Sequence, residues 1–237
     1  MTFQFIRLSA VLGAGFVLAA PFAVQAQSAG NIRLSGYITA HSDGVFRGVS
    51  QTEGAAQVAV GAQLAHTSGL YAGTQYKTMR DRASGLDSQY QVFVGYKTLL
   101  AGTDINGRVN FKTYNGLIRD KDDDLVEYEV TLGHRLGERF SGRLNMAYTP
   151  DHYGDRARAA SFAELGLGYK ATPKLSFLAA NGFRHIENGT DYASYLASAQ
   201  YGVTPSFSAT VSFTTTSERE RGGKYDDTVF LTLQKRF

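Results

Sequence analysis

Apolar and polar residues alternate with a period of two along most of this chain. The stretch 104–114 shows it most clearly: Ile105, Val109 and Phe111 fall on one parity, and Asp104, Asn106, Arg108, Asn110 and Lys112 on the other. Residues 227–237, DTVFLTLQKRF, repeat the pattern, with Val229, Leu231, Leu233 and Phe237 opposed to Thr228, Thr232, Gln234 and Arg236. Such alternation predicts β-strands with one apolar and one polar face. The same reading predicts strands over residues 31–42, 57–67, 70–78, 89–100, 125–136, 140–149, 161–171, 175–185, 191–203 and 206–216. About twelve strands result, each near the ~9–11 residues that a tilted membrane strand needs.

The connections alternate too. Short turns are predicted at Ser68-Gly69, Ala101-Gly102-Thr103, Gly137-Glu138-Arg139, Thr172-Pro173-Lys174 and Thr204-Pro205. Longer polar connections are predicted over 43–56, 79–88, 115–124, 150–160, 186–190 and 217–226. Short turns at one end, longer loops at the other and an even strand number are marks of a transmembrane barrel. Pro150, Pro173 and Pro205 all fall in predicted connections, where they remove no ladder hydrogen bond.

Alternation alone also fits a soluble sandwich or a lipocalin-like barrel, with the apolar parity turned inward. Two features favour the membrane. The apolar parity is interrupted by Gly, Ala and Thr, leaving few large residues to interlock a dry core. Aromatic residues also recur near strand ends on that parity. Phe140, Tyr169, Phe177, Tyr201 and Phe207 sit by the short turns, and Tyr76, Tyr90, Tyr128 and Tyr148 by the long loops. They read as the two interfacial girdles of a barrel. Lys235 lies on the apolar parity, but close enough to the strand end to snorkel to the interface. The expected fold class is all-β: an antiparallel transmembrane β-barrel of about twelve strands with both termini periplasmic.

The start of the chain supplies the export route. Arg7 precedes an apolar run over 8–23, and Val24-Gln25-Ala26 is a small-x-small cleavage pattern. This is the plan of a secretory signal peptide. The expected organisation is a cleaved signal peptide over 1–26 and an outer-membrane β-barrel over 27–237. No later stretch approaches the ~20 apolar residues of a membrane helix.

Composition refines this reading. There are 26 Gly, 14 Tyr and 15 Phe but no Cys or Trp, which suits strands and leaves neither a disulfide framework nor a thiolate metal site. A formal net charge of +3, with basic residues spread singly, gives no nucleic-acid footprint.

Charge matters more inside the expected barrel. Twelve strands tilted ~40° enclose a backbone cylinder roughly 25 Å across, narrower than a general porin. The polar parity carries Arg33, Lys77, Lys97, Arg108, Lys112, Arg135, Arg143, Lys170 and Arg184 against Asp104, Glu127, Glu129 and Glu164. The candidate pore-lining residues are Lys77, Lys97, Arg108, Lys112, Glu127, Glu129, Arg143, Glu164 and Arg184. A basic excess predicts passage of small polar solutes or ions with a mild preference for anions. Alternatively, the charges pair across strands and plug the bore, Lys112 with Glu127 and Arg108 with Glu129.

Two resemblances sharpen the reading. The chain ends on Phe237, and this ending resembles the C-terminal signature of bacterial outer-membrane barrels. That implies recognition of the last strand by the barrel-assembly machinery. The segment Phe46-Arg47-Gly48-Val49-Ser50-Gln51-Thr52, the stretch HTSGLYAG over 66–73 and the stretch QYQVFVGY over 89–96 resemble the TorF-like (Gcw_chp) proteobacterial porin family. The match is specific over 31–96 and compositional beyond. Gly44-Val45 before Phe46, and Ala55-Ala56 where a Pro is usual, depart from that pattern. The resemblance implies an outer-membrane channel and names no substrate. Arg47, Ser50 and Gln51 are the candidate mouth motif. Polar turn composition favours an outer-loop turn there; a sharper reading folds Arg47 and Gln51 inward to constrict the mouth.

Catalytic and metal chemistry find little support. His41, His66, His134, His152 and His185 sit in no nucleophile–base motif, and His41 and Ser42 point to opposite faces of a strand. Neither catalytic residues nor a cofactor is expected. The acidic run over 120–124 reads as a solvated loop tip that meets lipopolysaccharide through bridging ions. Loops of about ten residues are short for a receptor. The expected partners are outer-membrane lipid, lipopolysaccharide, the assembly machinery and small polar solutes.

Overall fold

A strand in a bilayer has no water for its backbone N–H and C=O groups, so a spanning sheet must close on itself. The computed structural model describes residues 28–118, 123–152 and 159–237, and its sheet closes. Twelve long antiparallel strands follow one another around the ring: β1 (Ile32–His41), β2 (Gln57–His66), β3 (Leu70–Asp81), β4 (Leu86–Leu100), β5 (Thr103–Asn115), β6 (Asp124–Arg135), β7 (Phe140–Thr149), β8 (Ala160–Lys170), β9 (Leu175–Ile186), β10 (Tyr192–Thr204), β11 (Phe207–Thr216) and β12 (Thr228–Arg236). Each pairs with its neighbours in the chain, and β12 returns to β1. At that seam Lys235 opposes Ile38 and Arg236 opposes Tyr37. Gly36 N then donates to Phe237 O at 2.7 Å, and Phe237 N to Gly36 O at 3.0 Å. The ladder therefore runs to the terminal residue. Gly36 opposite it leaves room for the ring in this position, since a Cβ there would stand 2.6 Å from Phe237 Cε2.

The expected signal peptide over 1–26 lies outside the described residues, as does the acidic loop tip over 120–122. No helix among the described residues is long and apolar enough to cross a membrane.

The apolar parity faces outward. Leu165 is 66% exposed and Val229 69%, whereas Asn110, on the polar parity, is 0% exposed. Lys77, Gln91, Glu164, Gln200 and Thr214 are likewise buried. A soluble protein does the reverse. Register gathers the aromatic residues into two belts. Tyr76 opposes Tyr90 and Tyr128 opposes Tyr148 at the long-loop end. At the short-turn end Phe140 opposes Tyr169, 5.0 Å between ring centres, and Tyr169 opposes Phe177. Phe140 and Tyr148 share β7, and their separation along it, projected onto a tilted barrel axis, is roughly 20 Å, close to the height of a barrel's apolar band.

Rings also line the inside, which polar alternation did not announce. Tyr71, Phe93, Phe162, Tyr192 and Phe230 are all buried. Flat neighbours make room for them: Tyr71 opposes Gly95 and Phe93 opposes Gly73, and a Cβ on either glycine would meet the ring at 2.4 Å.

Of the predicted long loops, one is mostly strand. Residues 79–88 were expected as a polar loop, but β3 runs to Asp81 and β4 begins at Leu86. Met79 and Leu86 turn inward and pack with Tyr114 and Leu125, and Leu117 leans against them. Burial of these groups stabilises a hairpin taller than its polar neighbours suggested. Apart from the starts and ends that border this loop, expected strand boundaries agree with the observed ones to within one residue.

The outward face yields a direct test. Leu165 sits mid-strand, opposite Leu144 and Asn181. Leu165→Arg should lower the unfolding free energy by about 2–4 kcal/mol in urea titrations of vesicle-inserted protein. An outward site on a water-soluble fold would tolerate the change within about 0.5 kcal/mol.

Candidate functional site

The site begins with the connection between β1 and β2. Val45–Phe46 and Val49–Ser50 pair antiparallel within it. Arg47 at φ 52° and Gly48 at φ 87° form a two-residue turn with both residues left-handed, as in a type I′ hairpin. Glycine accepts that conformation freely, whereas arginine bears a cost of roughly 1–2 kcal/mol. Side chains at the base hold the hairpin. Ser50 Oγ and Thr52 Oγ1 donate to Asp43 Oδ1 at 2.6 and 2.8 Å, and Gly44 N donates to Thr52 Oγ1 at 2.8 Å.

This hairpin does not lie over the rim as an outer-loop turn. It enters the barrel and touches three walls. Arg47 Nη1 donates to Glu127 Oε2 on β6 at 2.9 Å. Lys77 Nζ on β3 donates to Gln51 Oε1 at 2.6 Å. Gly48 rests on β10, where a Cβ would stand 2.4 Å from Ser194 Cβ. Arg47 and Gln51 thus take the inward arrangement, while Ser50 turns back to brace the hairpin.

Around the hairpin the interior charges form contacts that strand register dictates. Arg108 opposes Glu129 directly, and its Nε and Nη2 donate to Glu129 Oε2 at 3.1 and 2.6 Å. Lys112 reaches diagonally to Glu127 Oε1 at 2.6 Å, so Glu127 receives Arg47 on one oxygen and Lys112 on the other. Asn110 donates to Glu129 at 3.4 Å and accepts from Gln91 at 2.9 Å. Arg143 lies 3.6 Å from Glu164, and Lys97 3.8 Å from Asp104. Both cross-strand pairs anticipated from the alternation, Lys112–Glu127 and Arg108–Glu129, are present.

A cavity of ≈ 270 Å³ extends from Phe46 and Arg47 at the hairpin to Lys97, Asp104 and Gly133 near the short turns. Lys77, Lys97, Arg108, Lys112, Glu127, Glu129, Arg143 and Glu164 all border it. Arg184 is buried apart from it, with Nη2 3.1 Å from His152 Nε2. Burial and the nearby Arg184, Lys112 and Arg47 cations lower the His152 imidazole to about 3. It is therefore neutral and can accept from Arg184, which only donates. Counting Arg47, six basic and four acidic residues border the cavity.

Phe46 is the member that sequence reasoning missed. Arg47 Cζ, Lys77 Nζ and Lys112 Nζ lie 4.5, 5.0 and 5.5 Å from its ring centre, within cation–π range. Arg47 also lies 4.8 Å from Phe162. The available signal was Val45, Phe46 and Val49, three apolar residues in a connection read as solvated.

The histidines engage in local contacts. His41 Nδ1 and Nε2 lie 2.9 and 3.2 Å from the hydroxyls of Thr232 and Thr39. His66 Nδ1 takes the Ser68 N–H at 3.1 Å within a turn. Among the described residues no group of three or more His, Asp or Glu is placed to hold a metal ion.

Known structures share this architecture. The KdgM porin aligns with a TM-score of 0.57 at 6% identity, covering 86% of this chain and 98% of its own. The NanC porin gives 0.57 at 10% identity, covering 85% and 97%. The COG4313 outer membrane channel from Pseudomonas putida F1 gives 0.52 at 13% identity, covering 90% and 97%. A second KdgM structure is described as a complex with disordered oligogalacturonate. At these identities the likeness is one of fold. No curated protein sequence matches the chain. A family model described as "Bacterial protein of unknown function (Gcw_chp)" matches residues 25–237.

Glu127 is the node of the interior network. Glu127→Gln would leave Arg47 and Lys112 buried without their carboxylate, at a cost of about 3–5 kcal/mol in unfolding free energy. Arg135→Gln, at an exposed strand end, should stay within about 0.5 kcal/mol in the same urea titration.

Proposed function

We propose that this chain, which belongs to the Gcw_chp family of bacterial proteins, is a porin-like channel of the outer membrane that passes small polar solutes and favours anions. One observation carries the reading: a closed barrel, apolar outside, holds an elongated cavity bordered by ten charged side chains, six of them basic. Charged rings facing a bore raise the local concentration of the opposite ion. The KdgM porin, described with an acidic oligosaccharide, supports the anion preference by analogy of fold. In this reading the segment over 1–26 directs export and is removed, and both termini face the periplasm. The long loops then face outward toward lipopolysaccharide, and the assembly machinery reads β12 through Phe237. The TorF-like designation fits this role, and solute passage requires neither catalysis nor a cofactor.

A second reading has a specific observation behind it. The hairpin crosses the interior, and the Arg47–Glu127–Lys112 contacts fasten it there. A barrel so plugged is a stiff structural or receptor element.

Planar-bilayer recording separates the two. The channel reading expects conductance from the native protein, with reversal potentials in a salt gradient that favour chloride over potassium. Cation-favouring potentials would overturn the anion preference. Gly48→Val places a branched side chain at φ +87° against Ser194 and should dislodge the hairpin. The channel then gains conductance, about twofold or more if the hairpin sets the narrowest cross-section. A plugged barrel is silent as the native protein and conducts only as the variant.

A further inference from the structure

The interior charges are unevenly matched. Toward the short turns each cation that borders the cavity has a carboxylate of its own: Arg108 has Glu129, Arg143 has Glu164 and Lys97 has Asp104. At the hairpin the balance fails. Arg47, Lys77 and Lys112 gather within 5.5 Å of the Phe46 ring centre. Glu127 is shared between Arg47 and Lys112. Lys77, 6% exposed, donates to the neutral amide of Gln51. Arg184, equally buried, donates to the neutral His152, and its Nε has no hydrogen-bond partner. Among the described residues neither Lys77 nor Arg184 forms an ion pair.

Buried cations in excess of carboxylates are costly unless an anion joins them. The cavity reaches this level, since Phe46, Arg47, Lys77 and Lys112 all border it. The charge excess, the room beside it and an aromatic ring at its edge favour an organic anion over a bare inorganic one. We propose that the interior beneath the hairpin is a binding site for a small carboxylate, held by Lys77 and Lys112 beside Phe46. The proposal deepens the channel reading, on which it rests, by naming the solute class that the interior recognises. Lys77 is the principal donor, because its ammonium has no carboxylate to give up before it can bind one. Gln51 sets the selectivity by being neutral: a carboxylate there would fill the site from within.

Calorimetric titration of the refolded full chain in detergent, at low salt, tests this. Succinate is the probe, succinamide its uncharged counterpart and sulfate the inorganic control. Succinate should bind and succinamide should not, with sulfate weaker than succinate. Lys77→Gln should weaken succinate binding by roughly tenfold or more, as expected for loss of a charge-assisted contact. Gln51→Glu keeps every cation and should weaken it as much. Heat-modifiable gel mobility verifies that each variant is folded. Equal binding of succinate and succinamide, equal binding of sulfate, or native affinity in folded Lys77→Gln and Gln51→Glu would overturn the proposal. Conductance recorded in parallel keeps the two conclusions apart. A barrel that conducts without binding succinate refutes only the site, whereas one that binds succinate without conducting refutes only the channel.

Discussion

Closure of the backbone ladder is the constraint on which everything else here depends. Hydrocarbon offers no hydrogen bonds, so each spanning strand needs a partner on both sides. The seam between β1 and β12 meets that need through paired residues up to Gly36 and Phe237. Once the ring is closed, side chains have two places to go. Acyl chains accept Leu, Val and Phe without penalty, so the outward face needs no interlocking. The enclosed face receives what lipid would reject.

That enclosed face carries the second constraint. A ring of twelve strands leaves an interior too wide for polar side chains alone to fill. Three devices fill it. Aromatic rings fold over glycines of the next strand, as Tyr71 does over Gly95 and Phe93 over Gly73. Facing charges pair along the β5–β6 register, as Arg108 does with Glu129. The hairpin of the first long connection supplies the rest, bringing Phe46 and Arg47 into the space between the walls. Its left-handed arginine is strained, and contacts on β3, β6 and β10 compensate. The hairpin thus adds both bulk and the Arg47 charge to the interior.

The candidate site was legible in part. Arg108 and Glu129 could be paired in advance because antiparallel neighbours count outward from a shared loop, and Lys112 reaches Glu127 one diagonal step off that register. The inward course of Arg47 and Gln51 could not be preferred over a rim turn, because polar turn residues suit either. The extension of β3 and β4 past residue 78 was hidden by the charged residues around Met79 and Leu86. Polarity averages over a segment, whereas burial is decided residue by residue.

The alternation and the turn residues by themselves determined twelve strands, their order and the membership of each face, but not the register across every hairpin. All of these are local consequences of a two-residue period and of turn chemistry. A period of two is unchanged when the sheet curls the other way, so alternation left the inward face open. The aromatic girdles and the scarcity of large apolar residues pointed the apolar parity outward, and the closed barrel turns it so. Tertiary structure alone decided that the first connection enters the barrel and that three cations gather around Phe46, two of them sharing the Glu127 carboxylate. Those contacts join β3, β5, β6 and the hairpin across the interior, and their geometry exists only once the cylinder has closed.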